Sequence, residues 1–330
     1  MFHWDHGLFL SRPRLALDVT RQQPHGFISH AHHDHMARHE LAYCTPSTGK
    51  LYRHRLGAGR QVVELAEGVP REYSDVRLTT YPAGHCLGSV MLHMEGLGLS
   101  GKHSEDVSLL YTGDFKLGES ATAARANPPQ ADILLMECTF GDPRYCFPPR
   151  EVATQQLVKL TRMILKNGET PVVHAYELGK AQEVTKILTE AGIPVLQHPA
   201  IFAVSKIYEN EGVNLGDVAE YRPELLPGRV VITLPKSSPG FRLAGIELPV
   251  SIAVTGWAMD ATLASRWQAD HAVPLSDHAD FNELLELIDR VEPKQVYCLH
   301  GPKLRQFVAH LRSLGHEAFL AEEGFQQRLF

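Results

Sequence analysis

The feature that most constrains this chain is a run of ligand-type side chains directly after a short apolar segment. Gly26-Phe27-Ile28 is typical of a buried strand end, and the next seven residues read S-H-A-H-H-D-H. Imidazole nitrogens and carboxylate oxygens together suit zinc, manganese or iron(II). His30 and His32 can point one way from an extended segment, while Asp34 and His35 open the next turn and point elsewhere. The pattern therefore predicts two adjacent metal ions.

Histidine abundance offers a competing explanation, because the chain has 19 histidines among its 330 residues. A solvated polar loop could carry several histidines by chance. Their alternation beside an aspartate, directly after a strand, favours metal binding over that alternative. His33 lies between the two pairs of candidate ligands and is expected to face solvent.

Further candidate ligands lie at the ends of predicted strands. The segment 76–81 alternates and is rich in β-branched residues, and His85 follows it in a glycine-flanked loop that could deliver the imidazole inward. Three further apolar segments end at acidic residues, namely Asp18, Asp114 and Glu137. A lone acidic residue after a strand is often a turn or cap residue. Together with the histidine run, these three residues favour one shared site.

Length and composition bound the class of protein. At 330 residues the chain could form one large domain or two, with a substantial core. No stretch approaches the roughly 20 apolar residues that span a bilayer, and the N-terminus lacks the pattern of a signal peptide. Five cysteines without a C-x-x-C pair are typical of a reduced cytoplasm. We therefore predict a cytoplasmic protein without membrane association.

The formal net charge of −6 is mildly unfavourable for binding nucleic acid, since phosphate contacts usually use basic side chains. Two divalent ions would add roughly four positive charges at the site, which weakens this objection.

The pattern along the chain changes after Glu137. Pro143, Pro148 and Pro149 indicate a linker, and predicted helices and strands then alternate. This alternation favours a parallel sheet covered by helices. The predicted helices of the whole later part span 151–167, 180–191, 201–209, 281–291 and 303–314.

The order of these motifs resembles the metallo-β-lactamase superfamily, and more narrowly its β-CASP nucleases, which include RNase J and Artemis. The H-x-H-x-D-H signature at 30–35 is followed by His85 and Asp114, and Asp18 precedes it. The later β-CASP motifs match Glu137 in M-E-C-T-F-G, His278 in S-D-H-A-D and His300 in C-L-H-G, and residues 175–183 resemble the segment A-x-L-G-K-A-Q-E.

Within that group the chain is most similar to the bacterial ligase-associated DNA exonucleases. It shares their length, the segment Thr255-Gly256-Trp257 and the segment L-S-D-H-A-D-F at 275–281. One departure is the interval 258–271, which has a single arginine, Arg266, where that family usually has a basic run.

This resemblance implies an α/β fold, namely a metallo-β-lactamase αββα sandwich with an inserted β-CASP α/β domain. Residues 1–145 and 250–330 would form the discontinuous metallo-β-lactamase domain, and residues 146–249 the β-CASP domain.

The resemblance also implies two divalent metal ions, zinc first and manganese as the alternative. They would be held by seven side chains, of which Asp114 would bridge both ions. One ion would bind His30, His32 and His85, and the other Asp34, His35 and His300. Asp18 would accept the second N–H of a ligand imidazole and fix its orientation.

The catalytic residues implied are Asp34, His278 and Glu137. His278 would be the general acid, oriented by Glu137, although a position near the N-terminus of the helix starting at Asp280 would explain it too. Gly179 and Lys180 are weaker candidates for phosphate binding at a helix start, where a solvent-facing lysine is the equally good alternative. Ser276 is a similar weak candidate.

The expected function is phosphodiester hydrolysis by a hydroxide held at two metals, in a DNA exonuclease acting in repair. Nucleic acid is the expected partner, with DNA favoured over RNA, and the resemblance adds a DNA ligase or helicase. The alternatives are an RNA-processing nuclease like RNase J and, further off, a small-molecule metallohydrolase, since a fold and a metal site alone do not determine a substrate.

Overall fold

The computed structural model describes residues 2–11, 13–97, 107–260 and 267–323. The chain divides into two compact units. The first unit contains the described residues of Met1–Gly118, Ala123–Arg144 and His278–Phe330, and the second contains those of Glu119–Thr122 and Tyr145–Asp277.

The first sheet of the first unit has six strands in sequential order. Its first three strands pair antiparallel and the remaining pairs are parallel. The strands are β1 Phe2–Trp4, β2 Leu8–Leu10, β3 Leu15–Leu17, β4 His25–Phe27, β5 Leu41–Cys44 and β6 Val62–Glu64.

The second sheet of the first unit has seven strands in the order β19-β18-β11-β10-β9-β8-β7. Antiparallel hairpins form the β7 to β10 side, and β10, β11, β18 and β19 pair in parallel. The strands are β7 Arg71–Tyr73, β8 Val76–Pro82, β9 Val90–Glu95, β10 Leu109–Tyr111, β11 Ile133–Glu137, β18 Gln295–Leu299 and β19 Ala318–Leu320.

Alternating apolar residues pack the two sheets face to face. Leu17 and Phe27 of the first sheet share a buried cluster with Leu92 and Leu135 of the second. Helices cover the outer faces: α1 (Pro46–Leu56) packs on β6, and α5 (Phe281–Val291) and α6 (Leu304–Ser313) cover the second sheet. The resulting helix–sheet–sheet–helix layers confirm the predicted αββα sandwich.

Apolar spacing explains why α5 forms where the sequence predicts it. Leu284, Leu287, Ile288 and Val291 recur on one face and are buried against the second sheet. Asp280 caps the helix by accepting from the backbone N–H of Glu283 at 2.9 Å. The capping residue lies two residues after His278 and fixes where α5 starts.

The second unit contains a six-stranded sheet, in which every strand pair is parallel, with the order β14-β13-β15-β12-β16-β17. Its helices are α2 Arg150–Lys166, α3 Lys180–Glu190 and α4 Pro199–Asn210. Its strands are β12 Thr170–His174, β13 Val195–Gln197, β14 Val218–Glu220, β15 Val230–Thr233, β16 Pro249–Val254 and β17 His271–Val273. This parallel sheet with helices confirms the predicted inserted α/β domain.

The predicted end of the inserted domain at residue 249 differs from the structure, which places residues 250–277 in the second unit. The physical reason is strand pairing: β16 pairs in parallel with β12, and β17 pairs with β16. These strands complete the second unit's own sheet, so the return to the first unit comes at His278 rather than at residue 250. Arg266 lies outside the described residues.

Among the described residues, no helix is both long enough and apolar enough to cross a membrane. In the part of the chain that the structure describes, no disulfide is formed by the buried cysteines, Cys44, Cys86, Cys138 and Cys298, or by the exposed Cys146.

Candidate metal centre

The histidine run leaves the carboxyl end of β4 and turns at once. The segment from His33 to His35 forms a single 3₁₀ turn, with His32 extended before it. This turn buries His30 and His35, which are 0% and 3% exposed, and leaves His33 exposed as predicted. The reversal separates the two ligand pairs, as the alternation in the sequence indicates.

Three imidazoles converge on one point. His32 Nδ1 lies 3.0 Å from His30 Nε2 and 3.1 Å from His85 Nε2. His85 comes from the loop after β8, in which the Ser89 hydroxyl accepts from the His85 backbone N–H at 3.2 Å. We call His30, His32, His35 and His85 the histidine cluster.

Asp114 lies at the centre of the histidine cluster. Its Oδ2 atom is 3.3 Å from His35 Nε2, 3.4 Å from His30 Nε2 and 3.8 Å from His85 Nε2. Gly113, before it, has φ +54°, and a Cβ there would lie 2.5 Å from Ser29 Oγ. Glycine is therefore needed for β10 to bring this carboxylate against the histidine run.

Asp18 orients the histidine cluster from behind. Its Oδ2 lies 2.9 Å from His35 Nδ1 and accepts from Tyr111 Oη at 2.9 Å. The Ser29 hydroxyl donates to the same carboxylate and lies 2.9 Å from His30 Nδ1. Both rings therefore use Nδ1 for this support and present Nε2 to Asp114, which is the arrangement predicted for Asp18.

Asp34 and His300 are nearer the surface than the histidine cluster. The Asp34 side chain is 81% exposed, and its Oδ2 lies 3.9 Å from His35 Nε2. His300 follows β18 with φ +49°, and its ring centroid is 5.5 Å from that of His35. The structure thus brings both residues beside His35. Their contacts are longer than those that His30 and His85 make with His32.

A second group meets Asp114 from the carboxyl end of β11. Glu137, 1% exposed, has its Oε1 atom 2.9 Å from His278 Nδ1. Oε1 also accepts from the Phe115 backbone N–H, and the Thr139 hydroxyl donates to Oε2. His278 keeps 23% of its side chain exposed, with Nε2 3.9 Å from Asp114 Oδ2. The ring is therefore held at Nδ1 and turns Nε2 toward Asp114.

Burial and neighbouring charge act differently on the site residues. Burial lowers the pKa of His30 well below its ordinary value, and the neighbouring His35 acts in the same direction. Burial also opposes protonation of His35, but the carboxylates of Asp114 and Asp18 outweigh it and raise the pKa of His35. For Asp114, burial is outweighed by His35 and His278, and its pKa falls well below the usual range.

The donor set fits divalent metal ions. Ligand atoms from His30, His32, His85 and Asp114 all lie within 4.8 Å of one another. Ligands around a tetrahedral zinc ion are about 3.4 Å apart, given Zn–N bonds of about 2.0–2.1 Å. The observed separations of 3.0 to 3.8 Å bracket that distance. Converging imidazoles with one carboxylate are a set of Lewis bases suited to a cation.

The predicted phosphate site at Gly179 and Lys180 is contradicted by the second unit's own contacts. Lys180 is 1% exposed, and its Nζ lies 2.9 Å from Glu183 Oε2 and 3.5 Å from Asp277 Oδ1. The Gly179 N–H donates to the Gln182 side chain at 2.8 Å. Both candidate donors are therefore engaged, and the predicted alternative of a solvent-facing lysine is wrong as well. Ser276 is also buried, at 4% exposure.

Sequence reasoning missed the supporting residues Ser29, Tyr111 and Thr139. Each donates a hydroxyl to a buried carboxylate of the site. Ser29 and Thr139 stand next to, or two residues from, predicted site residues, so proximity in sequence was an available signal. Tyr111 offered no such signal, because its partner Asp18 is 93 positions away.

Comparisons with known proteins point in the same direction as the geometry. Residues 269–321 match the family described as the Zn-dependent metallo-hydrolase RNA specificity domain. Over 99% of its length, the chain is 37% identical to a probable DNA ligase from Opitutus terrae, and the aligned part is 32% of that protein. It is 28% identical, over 82% of its length, to 57% of the 5′ exonuclease Apollo from Gallus gallus. These matches confirm the predicted resemblance to the β-CASP group of the metallo-β-lactamase superfamily.

A third relative of this chain is an RNase J-like protein from Methanocaldococcus jannaschii, 22% identical over 84% of the chain and 81% of that protein. The chain spans about a third of the Opitutus ligase and little more than half of Apollo. The relatives thus include one named as a DNA ligase, one named as a 5′ exonuclease and one named as RNase J-like.

Proposed function

We propose that this chain is a metal-dependent nuclease that hydrolyses DNA phosphodiesters from an end. The observation that carries the proposal is the placement of His278 beside the metal centre without a need for it as a ligand. Its Nδ1 is held by Glu137 at 2.9 Å, and its Nε2 faces Asp114 at 3.9 Å. A phosphodiester at the metal centre would lie within reach of that Nε2 proton.

His30, His32 and His85 are proposed to hold one divalent ion, and Asp34, His35 and His300 the other, with Asp114 shared. Zinc is the first choice because imidazole and carboxylate together suit it, and manganese is the alternative. Bound ions would supply the Lewis acidity that activates water and neutralises charge on the phosphoryl oxygens. Asp34, which is largely exposed, would also be catalytic at the open side of this site.

The chain's own residues would move one proton and fix three rings. His278 would donate from Nε2 to the departing 3′-oxygen, which leaves poorly without a proton. Glu137 would keep that ring in place by accepting a hydrogen bond from its Nδ1–H. Asp18, with Ser29, would keep the Nε2 atoms of His30 and His35 turned toward the metals.

DNA is favoured by the relation to a probable DNA ligase over nearly the whole chain and to a 5′ exonuclease. The same match motivates a role in DNA repair, with a DNA ligase or helicase as partner. The specific observations that favour RNA processing are the match of residues 269–321 and the RNase J-like relative. RNA cleavage is therefore the second candidate function.

End-labelled linear DNA, circular single-stranded DNA and RNA of the same sequence test this proposal on metal-loaded protein. An exonuclease needs an end, so the linear strand should be degraded while the circle survives. Rapid cutting of the circle would indicate an endonuclease. RNA degraded far faster than DNA would move the chain to the second candidate function, and neither polymer being cut would refute a nuclease.

A further inference from the structure

A cavity of about 680 Å³ lies in the first unit beside His300. Its volume falls within the roughly 300–1,000 Å³ typical of ligand pockets. The residues that line it include Trp4, Leu299, His300, Pro302, Arg305 and Leu320. The proposed function leaves this cavity without a role.

His300 belongs both to the wall of the cavity and to the candidate metal centre. This residue lines the cavity, and its ring centroid is 5.5 Å from that of His35. A group in the cavity would therefore sit next to a group bound at the metals. In a polymeric substrate, such neighbours are adjacent parts of one strand.

The walls combine an aromatic face with apolar side chains and a cation. Trp4 is half-buried on β1, where it packs against the core between the sheets, and Leu320 and Pro302 add apolar surface. Arg305 has 77% of its side chain exposed, and its ion pair with Glu323 at 2.8 Å is exposed too. An exposed pair of this kind exchanges partners at little cost, so the guanidinium can turn to a phosphate.

We propose that this cavity holds a nucleobase of the strand whose phosphodiester lies at the metal centre. The proposal rests on the proposed function and deepens it by naming a base-binding subsite. Trp4 would stack on the base, since every base has a π-face, and Arg305 would contact the adjoining phosphate. Stacking of this kind tolerates all four bases, so the subsite would select for the presence of a base and not for its identity.

Binding to metal-free protein provides a readout independent of catalysis. A short fluorescently labelled oligothymidylate should gain anisotropy on binding in the presence of chelator, with Trp267→Phe as the control variant because Trp267 lies in the second unit. Trp4→Phe should retain binding, since it keeps an aromatic face. Trp4→Leu, which keeps apolar packing against the core, should bind about tenfold more weakly. Equal binding by Trp4→Leu and wild type would overturn the proposal.

A scan of the substrate avoids any dependence on folding of the variant. In wild-type protein, one abasic nucleotide moved along the oligonucleotide should weaken binding at a single position near the cleaved bond, again about tenfold. Uniform binding at every position would overturn the base subsite. Loss of all hydrolysis by metal-loaded wild type would refute the proposed function, while the two binding measurements would still decide this proposal.

Discussion

Each unit of the molecule buries a cluster of polar side chains, and the two clusters differ in how their charges are compensated. The second unit contains an ion-pair cluster of Arg150, Lys180, Glu183 and Asp277. Arg150 Nη1 lies 2.7 Å from Glu183 Oε1, and Lys180 Nζ lies 2.9 Å from Glu183 Oε2. Lys180 Nζ also lies 3.5 Å from Asp277 Oδ1. Two cations thus meet two carboxylates within one unit.

The histidine cluster of the first unit lacks such a balance. Its ring nitrogens lie toward one another and toward the carboxylate of Asp114. A buried group of Lewis bases around one anion gains stability from an added cation, whereas the ion-pair cluster already contains its cations. The comparison teaches that burial of polar residues alone does not mark a functional site. Convergence of ligand atoms on a common point does.

The largest expected effect is at the carboxylate shared by the proposed metals. Asp114→Ala should lose bound metal and nuclease activity together, because Oδ2 faces three of the four cluster rings. Metal content by elemental analysis and cleavage of labelled DNA measure the two losses. Asp132→Asn is a suitable control, since that carboxylate pairs with Ser108 and Lys294 instead. An Asp114→Ala protein that kept both metals would refute its bridging role.

The next effect separates an acid from a ligand within the first unit. His278→Ala should keep its metals and lose about 10²–10⁴-fold in the cleavage rate, the range typical of a general acid. Glu137→Gln should lower the rate in the same direction, because it weakens the contact at His278 Nδ1. Single-turnover cleavage with parallel metal analysis distinguishes the roles. If His278→Ala lost a metal ion, the assignment of His278 as acid would be wrong.

The third effect concerns stability and belongs to the second unit. Lys180→Met should lower the free energy of unfolding by about 3–5 kcal/mol, because it removes one of the two cations beside the buried Glu183 carboxylate. Lys206→Met is the matched control: Lys206 and Glu209 have the same i,i+3 spacing and a 2.7 Å contact, but lie at the surface. There the change should be below about 1 kcal/mol. Denaturant unfolding measures both, and equal losses would contradict the importance of burial.

The same contrast explains what could be predicted from sequence. Ligands at strand ends, such as His30, His85 and Asp114, were predictable because each depends on a local strand pattern and the fold collects strand ends at one edge. The burial of Lys180 depends on Asp277, 97 positions later by their residue numbers, and no local pattern encodes it. The domain boundary was misplaced for the same reason, since β16 pairs with a strand about 80 residues earlier. Ser29 was overlooked because a hydroxyl acquires its role only from the carboxylate it contacts.

A smaller, graded effect should appear on acidification. Histidine ligands exchange metal for protons as pH falls, so the first unit should release metal on acidification. Burial disfavours the Glu183 carboxylate, but Lys180 and Arg150 outweigh it and lower its pKa from the usual 4.5. A depressed pKa contributes stability above pH 4.5, and that contribution is lost as pH falls through the lowered value.

Metal content after dialysis and unfolding monitored at each pH test this order. Metal release should precede any loss of the ion-pair cluster. Lys180→Met should shift the pH of acid-induced unfolding and leave the pH of metal release unchanged. Loss of structure before loss of metal would contradict the difference drawn between the two clusters.

Metal stoichiometry tests the central claim most directly. The seven proposed ligands, Asp114 among them, predict two metal ions per chain in protein purified without chelator. Elemental analysis should approach two equivalents of zinc or, after exchange, manganese. His278→Ala should give the same value and Asp114→Ala a lower one. A wild-type stoichiometry that stays at one equivalent under metal-replete conditions would contradict the two-metal site and the hydrolysis built on it.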